Sequence, residues 1–344
     1  MRNRRFDRSR RLSAATALLP AAAGPATAPS ARYVGPTSTN TYAPLSPAAA
    51  VRVGPIPDDM RRAFDIPPFY AKQAAILGLP IIGSPKVSDW AFLECAYVVD
   101  HVLADSPPRV LDALHHDKVK VGIISVVEYT MDIPENQTQE NMGLKAAAFQ
   151  DNRSRGLGGC PLTTCAEENL LNLHGDPYRS EDITIHEFAH TIASALQDVD
   201  PAWYDRLTAT YKRAMAAGRF ADTYSATNEQ EYWAEGAQMW FDCGDPGHVP
   251  HVHNGIWTRD QLKAYDPDLA ALLAGVYGDG HWRYVRADNR PLVADGQTTT
   301  RPAADLAHLA GLDRDRMPTF DIHNSPRVRA LAGSIRRAAA SRPS

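Results

Sequence analysis

The chain has 344 residues, 22% of them charged, and a formal net charge of -4 at pH 7. That length is enough for one large domain or two modest ones. The mild charge argues against nucleic acid or another polyanion as a partner. Outside the N-terminal segment, no apolar run approaches the roughly 18 residues of a membrane-spanning helix, so we expect the mature protein to be soluble.

Residues 1–30 have the pattern of a signal peptide. Six arginines precede a short apolar run that begins at Leu12, and small residues follow Pro20. This order is typical of secretory signals, so we expect cleavage between residues 23 and 31 and a secreted, extracellular protein. A disordered basic tail is the alternative, and a loose twin-arginine match leaves the export route open. Residues 31–58, rich in Pro, Ala, Ser and Thr, are expected to form an unstructured linker.

Residues 59–290 have the pattern of a globular region. Helices are predicted at residues 88–104, 107–116, 201–217 and 258–275, and a strand at residues 119–127. A further short strand is predicted at residues 169–173. Beyond residue 290 the chain is polar, Arg-rich and poorly periodic, so residues 291–344 are expected to be a flexible tail.

Four cysteines are consistent with an oxidising compartment but do not prove it. Cys160 and Cys165 are close enough in sequence for a small-loop disulfide, which would leave Cys95 and Cys243 as the second pair. Four cysteines allow three pairings, and the sequence does not choose between them. A free buried thiol is the competing interpretation of Cys95, which lies in an apolar helical run.

The most informative motif is His-Glu-Phe-Ala-His at residues 186–190. On a helix, His186 and His190 lie one turn apart on the same face, so both imidazoles can reach a single Zn²⁺. Glu187 points to a neighbouring face, where it can hold a water beside the metal. Zinc lowers the pKa of such a water from about 15.7 to about 7, so modest basicity suffices for Glu187 as the general base.

The flanking residues predict the helix that this motif needs. Ser180 is a suitable N-cap, and Asp200-Pro201 ends the element. Apolar residues recur at helical spacing on a face distinct from that of the histidines. We therefore expect one side of the helix to be buried while another presents the two imidazoles.

The third zinc ligand is not supplied near the motif. Leu196 occupies the position of the third histidine of metzincins, and Ala209 the position of the glutamate in another class. No glutamate occurs between His190 and Glu229. A glutamate ligand must therefore come from residues 229–235.

A second helix is predicted there, starting at Thr227 or Asn228 and ending near residue 241. Glu231 and Glu235 share one of its faces. One of them can ligate zinc while the other accepts a hydrogen bond from a zinc-bound histidine. Glu231 is the favoured ligand, although a glutamate three residues after Asn228 also fits a capping box.

Residues 224–235, placed after the HExxH helix, resemble the catalytic domain of the anthrax lethal factor family, which includes the clostridial Pro-Pro endopeptidases. The match consists of the HExxH helix, a tyrosine seven residues before the glutamate ligand and a second glutamate four residues after it. It is specific only near residues 183–241. The resemblance implies an α+β fold of the zincin-like metallopeptidase type, mostly helical with a small mixed sheet.

The same resemblance implies roles for individual residues. The ligands of one catalytic Zn²⁺ would be His186, His190 and Glu231. Glu187 would be the general base, and Tyr224 would donate a hydrogen bond to the developing oxyanion. Glu235 would support a zinc ligand from outside the coordination sphere. A packed or surface aromatic is the alternative for Tyr224.

These inferences together predict a secreted zinc-dependent endopeptidase that acts on a peptide or protein. A strand at residues 166–173 would pair with the extended substrate, although an ordinary sheet strand fits equally well. The oligomeric state and the cleavage specificity are not determined by the sequence.

Two other functions are consistent with the same residues. In a secreted zinc-binding module with a structural or silent site, His251 or His253 would close the fourth coordination position. A zinc amidase acting on cell-wall peptides would use the same base. His248, His251 and His253 lie in one Gly/Pro-rich loop, where a rim residue or weak extra metal site competes with the favoured solvated loop.

Overall fold

The computed structural model describes residues 33–46, 49–138, 143–247, 249–288 and 307–340. The predicted signal peptide lies outside these residues. The described chain has a mixed α+β fold, as the sequence predicts. Its helices are α1 Asp58–Ala63, α2 Asp89–Leu103, α3 Pro108–His116, α4 Leu144–Arg153, α5 Glu167–Leu170, α6 Ile183–Val199, α7 Pro201–Ala216, α8 Glu229–Trp240, α9 Arg259–Tyr265, α10 Pro267–Tyr277 and α11 Pro326–Ala340.

The described strands form one mixed sheet. They are β1 Gly54–Pro55, β2 Lys72–Ile76, β3 Leu79–Gly83, β4 Lys120–Ile124 and β5 Leu162–Ala166, and they are adjacent in this order. The pairs β1–β2 and β2–β3 are antiparallel, whereas β3, β4 and β5 run parallel. Leu77 and Gly78, both with positive φ, make the two-residue turn of the β2–β3 hairpin.

Successive strand residues face opposite sides of the sheet, and both sides are covered. Ile81 and Ile123 belong to the larger apolar core, which includes residues of α2 and α6. Their neighbours Ile82 and Ile124 belong to a smaller cluster that includes Tyr70. Because the parallel strands are buried on both faces, they are short apolar runs without polar alternation.

The helices of the globular region agree closely with the sequence predictions. Helices α2, α3 and α7 match the predicted ranges, and β4 lies within the predicted strand. The predicted helix at residues 258–275 is instead two helices, α9 and α10. They meet at Asp266, whose side chain accepts a hydrogen bond from the Leu269 N–H and so caps α10. Pro267 at the first position of α10 cannot continue α9.

The predicted short strand at residues 169–173 is wrong. Residues 167–170 form the helical turn α5, and the strand ahead of the zinc helix is β5. The side chain of Asn169 donates to the backbone oxygens of Tyr178 and Glu181 and accepts from the Ile183 N–H. Asn169 therefore stabilises the turn that leads into α6. This role needs a bent backbone, whereas a strand at residues 169–173 would be extended.

The terminal segments are more ordered than the sequence predicts. In the expected linker, buried Tyr42 and Val51 pair through their backbones, and the Tyr42 hydroxyl donates to Asp100. Residues 307–340 differ from the predicted flexible tail, because α11 packs on α4 and Arg327 pairs with Asp132 and Asp151. Because these ion pairs are polar contacts, they produce no apolar periodicity from which the structure of this segment could be predicted.

All four cysteines are free thiols, so the predicted disulfides are absent from the structure. Cys165 lies in β5 and is fully buried, whereas the thiol of Cys160 donates to the Thr191 carbonyl on α6. Cys95 and Cys243 are also buried. The interpretation of Cys95 as a free core thiol agrees with this arrangement.

No helix in the described ranges has both the length and the apolar character of a membrane span.

Candidate metal centre

Helix α6 carries both histidines into the interior. Asp182 is its N-cap and accepts a hydrogen bond from the Ile185 N–H, 2.7 Å away, so the predicted cap at Ser180 is wrong by two residues. Asp200 ends the helix, as predicted. His186 and His190 are both buried. Their spacing of one turn places the two Nε2 atoms 3.2 Å apart.

Helix α8 supplies the third ligand. Asn228 is its N-cap, and its side chain accepts from the N–H groups of Gln230 and Glu231. The Glu231 carboxylate points instead toward the histidines, with Oε2 3.3 Å from His186 Nε2 and 3.2 Å from His190 Nε2. Glu231 therefore occupies the position predicted for the ligand, although its backbone takes part in the cap.

Packing between the two helices sets this register. The Trp233 indole donates a hydrogen bond of 3.0 Å to the Ala189 carbonyl of α6. Trp233 also makes an edge-to-face contact with Trp203, with ring centroids 5.0 Å apart. Because Trp233 is fully buried and lies two residues after Glu231, its position places the carboxylate opposite the histidines.

The three ligand atoms fit one zinc ion. Their separations of 3.2, 3.2 and 3.3 Å form a nearly equilateral triangle. Tetrahedral zinc with ligands at about 2.0–2.1 Å separates neighbouring ligand atoms by about 3.3 Å. Two imidazoles and one carboxylate also match the ligands of open, catalytic zinc sites. The residues present therefore fit zinc with a fourth position left for a reactant.

Gln238 fixes the orientation of His186. Its amide nitrogen donates to Glu181 Oε2 and to the Asp182 carbonyl, at 3.2 and 3.3 Å. Its amide oxygen lies 2.9 Å from His186 Nδ1 and accepts that N–H. The Nε2 lone pair of His186 is consequently free to bind a metal.

Glu235 lies beside His186 but is not the nearest acceptor for its Nδ1. Its carboxylate lies 3.6 Å from His186 Nδ1, farther than the amide oxygen of Gln238. Its other oxygen lies 3.5 Å from His253 Nδ1. The nearest acceptor for His186 Nδ1 is thus Gln238, one turn later on α8, and Glu235 lies between this histidine and His253.

The electrostatics of the triangle favour a bound cation. Burial lowers the pKa of His186, but the hydrogen bond with Glu231 and the surrounding carboxylates outweigh it and raise the pKa to about 10. Burial acts in the opposite direction on Glu231, yet the two imidazoles hold the pKa of its carboxyl well below the usual range. Glu231 is therefore an anion that a proton or a metal ion can neutralise.

Glu187 is buried beside the histidines. Its Oε2 atom has no hydrogen-bond partner among the described residues. Burial raises the pKa of its carboxyl, while the imidazoles of His186 and His190 oppose the rise. A buried carboxylate with a raised pKa and a free oxygen is suited to accept a proton from a reactant.

Gly158 passes directly over α6 at this point. A Cβ atom there would lie 2.2 Å from the Glu187 carbonyl oxygen and 2.7 Å from the Cβ of His190. Only glycine permits this approach. The segment also pairs with the edge strand β5, since the Thr164 N–H donates to the Leu157 carbonyl at 2.8 Å. It thereby closes one side of the site.

Tyr224 lies on the opposite side of the site, in a 3₁₀ turn at residues 224–226. Its ring stacks near His186, with centroids 6.4 Å apart and planes inclined by 24°. Its N–H donates to the Val252 carbonyl, which ties the turn to the loop before α9. Tyr224 lines a pocket together with His186 and Glu187.

The far wall of this pocket includes Arg155, which is buried and paired with Glu168. The guanidinium also donates to the Glu128 carbonyl and stacks 3.9 Å from the ring centre of Phe320. Arg155 is thus fixed by the protein. Its contact with Phe320 joins this wall of the pocket to the C-terminal segment.

The histidine loop is not a single cluster. His251 is exposed and pairs with Asp222 at 2.6 Å, which agrees with a solvated position. His253 instead lines the pocket, where its Nε2 lies 3.3 Å from Glu181 Oε1. His248 lies outside the described residues. Neither described histidine is among the candidate ligands grouped with His186, so the predicted closure of the fourth position is not seen there.

Sequence reasoning did not identify Gln238, Glu181 or Arg155 as parts of this site. Gln238 could have been found, because it lies seven residues after Glu231 and so shares its helical face. Glu181 follows the predicted cap at Ser180, and an acidic residue near a helix N-terminus needs no other role. Arg155 has no motif that signals its position.

Comparison with known proteins adds little to this geometry. No family model matches the chain, and no curated protein matches it. One similar solved structure is the Pro-Pro endopeptidase PPEP-2 from Paenibacillus alvei, at 17% identity and a TM-score of 0.35. The match covers 52% of this chain and 89% of that protein.

Proposed function

We propose that this protein is a zinc-dependent endopeptidase with a zincin-like catalytic domain. The observation that carries the proposal is the triangle of His186, His190 and Glu231 beside the unpaired carboxylate oxygen of Glu187. The endopeptidase class rests on the sequence resemblance of residues 183–241. The pocket is lined by His186 and Glu187 of these four groups, and by Tyr224.

His186, His190 and Glu231 would hold the metal. Zinc bound there would lower the pKa of a reacting water and polarise the scissile carbonyl. Glu187 takes the proton of the attacking water and passes it to the leaving amine. The phenolic O–H of Tyr224 donates a hydrogen bond to the oxyanion of the tetrahedral intermediate. Gly158 lets its segment pack closely on α6, and Arg155 forms part of the pocket wall.

The proposal is tested by metal analysis followed by cleavage profiling on a peptide library. Wild-type protein should hold zinc and cleave internal peptide bonds. Glu187→Gln should fold and retain zinc but lose about 10²–10⁴-fold in kcat, the usual contribution of general acid–base catalysis. Glu229→Gln is the matched control, since Glu229 lies on α8 and pairs with Tyr204 outside the triangle.

A Glu187→Gln variant with full activity would overturn the assignment of the base. A zinc-loaded wild-type protein that cleaves no peptide would point instead to a structural or silent metal site. Cleavage restricted to terminal residues would exclude the endopeptidase class while retaining the hydrolytic site.

Secretion is part of the same proposal. It rests on the signal-like pattern of residues 1–30, which lie outside the described structure. Mass spectrometry of protein from the culture medium should find a new N-terminus between residues 23 and 31. An intact Met1 on active extracellular protein would contradict cleavage.

A further inference from the structure

A second group of side chains that could hold a metal lies beside the pocket, apart from the triangle of His186, His190 and Glu231. It consists of Glu181, just before α6, Asp245, after α8, and His253 in the loop before α9. One ligand atom from each lies within 4.8 Å of the others. Glu181 Oε1 and His253 Nε2 are 3.3 Å apart, a separation close to that of neighbouring ligand atoms on one ion.

Each of these side chains also has a hydrogen bond or an ion pair with a residue outside the group. The second ring nitrogen of His253 faces Glu235 at 3.5 Å. The second oxygen of Glu181 accepts the Gln238 amide at 3.2 Å, and the Ser180 hydroxyl donates to Asp245. Metal-binding histidines and carboxylates in proteins have outer contacts of this kind, which fix the ligand orientation.

The charge of the group is unbalanced. Three carboxylates, those of Glu181, Asp245 and Glu235, lie near two imidazoles, since Glu235 faces both His253 and His186. Among the described residues, none of the three forms an ion pair with a lysine or arginine. Protonation of His253 therefore leaves excess negative charge on this wall, which a divalent cation would balance.

We propose that Glu181, Asp245 and His253 bind a second divalent metal ion, of the first-row transition series. One imidazole and two carboxylates suit zinc or manganese, whereas calcium and magnesium prefer oxygen ligands alone. This ion is separate from the proposed catalytic zinc, because the two sites share no ligand.

The second ion would hold the residues around the pocket in place and would take no part in the reaction. It joins the start of α6, through Glu181, to the loop that carries His253. The neighbouring residue Val252 accepts the backbone N–H of Tyr224, so fixing the loop also fixes the tyrosine. Gln238 connects the two metal sites, since it contacts both Glu181 and His186.

The test is metal stoichiometry by mass spectrometry and equilibrium dialysis with Zn²⁺ and, separately, Mn²⁺. Wild-type protein should bind two ions per chain. His253→Ala and the more conservative Asp245→Asn should bind one, with the folded state checked by circular dichroism. His251→Ala is the matched control and should bind two, because that exposed histidine belongs to the same loop but pairs with Asp222.

His190→Ala separates this inference from the proposed catalytic site. If both sites exist, it should lose one ion and keep the one that His253→Ala removes. A single ion in the wild-type protein that His190→Ala removes and His253→Ala retains would overturn the second site. Two ions retained by His253→Ala would overturn it as well. A single ion lost only in His253→Ala would support the second site and contradict the catalytic one.

Discussion

The two ligand groups on this pocket are built in different ways. The triangle of His186, His190 and Glu231 comes from two packed helices and is buried. The group of Glu181, Asp245 and His253 comes from a turn and loops and is only partly buried. Helices fix the first group before any metal binds, whereas the second depends on loops that a cation would draw together.

This difference predicts how each group responds to change. Removing a helical ligand should abolish binding at one site without moving its neighbours. Changes on the loop side should remove the second ion and affect the catalytic site only through position and stability. The predictions below test that contrast.

Glu231→Ala should have the largest effect. It removes a zinc ligand and leaves two histidines, so we expect loss of stoichiometric zinc and of all measurable peptide cleavage. Glu235→Ala, one turn along the same helix, should retain the zinc. Metal analysis of both variants checks this contrast, and a zinc-containing Glu231→Ala protein would move the ligand role elsewhere.

Tyr224→Phe should leave zinc content unchanged and lower kcat by about 10²–10³, the usual effect of removing one oxyanion donor. The phenyl ring preserves the stacking near His186, so the fold should be unaffected. Steady-state kinetics on a cleaved peptide provide the measurement. An unchanged kcat would assign Tyr224 a packing role alone.

Gln238→Met should weaken zinc binding by about 10–100-fold, because it removes the acceptor that orients His186 while keeping a similar volume. Competition with a chelator measures the affinity. Gln230→Met is the control, since Gln230 lies on the same helix and its amide contacts Tyr204. Equal zinc affinities in the two variants would show that the Gln238 amide does not orient the ligand.

Asp176→Asn should change stability rather than activity, in the turn that Asn169 holds before α6. Burial, together with Glu168, raises the pKa of Asp176 from 3.8 to about 7. The folded state therefore holds a proton that the unfolded state releases, and stability is lost as pH rises from about 4 to 7. In that window the slope is at most about 1.4 kcal/mol per pH unit.

Asp176→Asn should remove this loss, because the amide does not titrate. Denaturant unfolding at pH 5.5, 6.5, 7.5 and 8.5 compares the two proteins. The stability of wild type relative to Asp176→Asn should fall up to about pH 7 and then become constant. A difference independent of pH would show that the carboxyl of Asp176 ionises at its ordinary value.

The helical part of the site could be predicted from sequence because a helix fixes the spacing of its side chains. His186 and His190 needed only the 3.6-residue period, and Glu231 followed from the absence of nearer glutamates. Gln238 belongs to the same periodicity, yet an amide carries no metal-binding signal by itself. Helices α2, α3 and α7 followed from apolar periodicity in the same way, whereas the mixed α+β class followed from the resemblance of residues 183–241.

The loop side could not be predicted for a physical reason. Glu181 and His253 are distant in sequence, and their approach depends on how the turn before α6 and the loop before α9 pack. Asn169 controls that turn through side-chain hydrogen bonds, which a pattern of apolar residues does not reveal. The same holds for Arg327, whose ion pairs fix a segment that composition alone describes as flexible.

The contact between Arg155 and Phe320 has a consequence for the order of events during synthesis. The zinc ligands, the general base and Tyr224 all leave the ribosome before Phe320. A nascent chain that has reached residue 290 therefore contains every proposed catalytic side chain but lacks the ring beneath the Arg155 guanidinium. The packing of Arg155 is completed only when the C-terminal segment docks, which is late in biosynthesis.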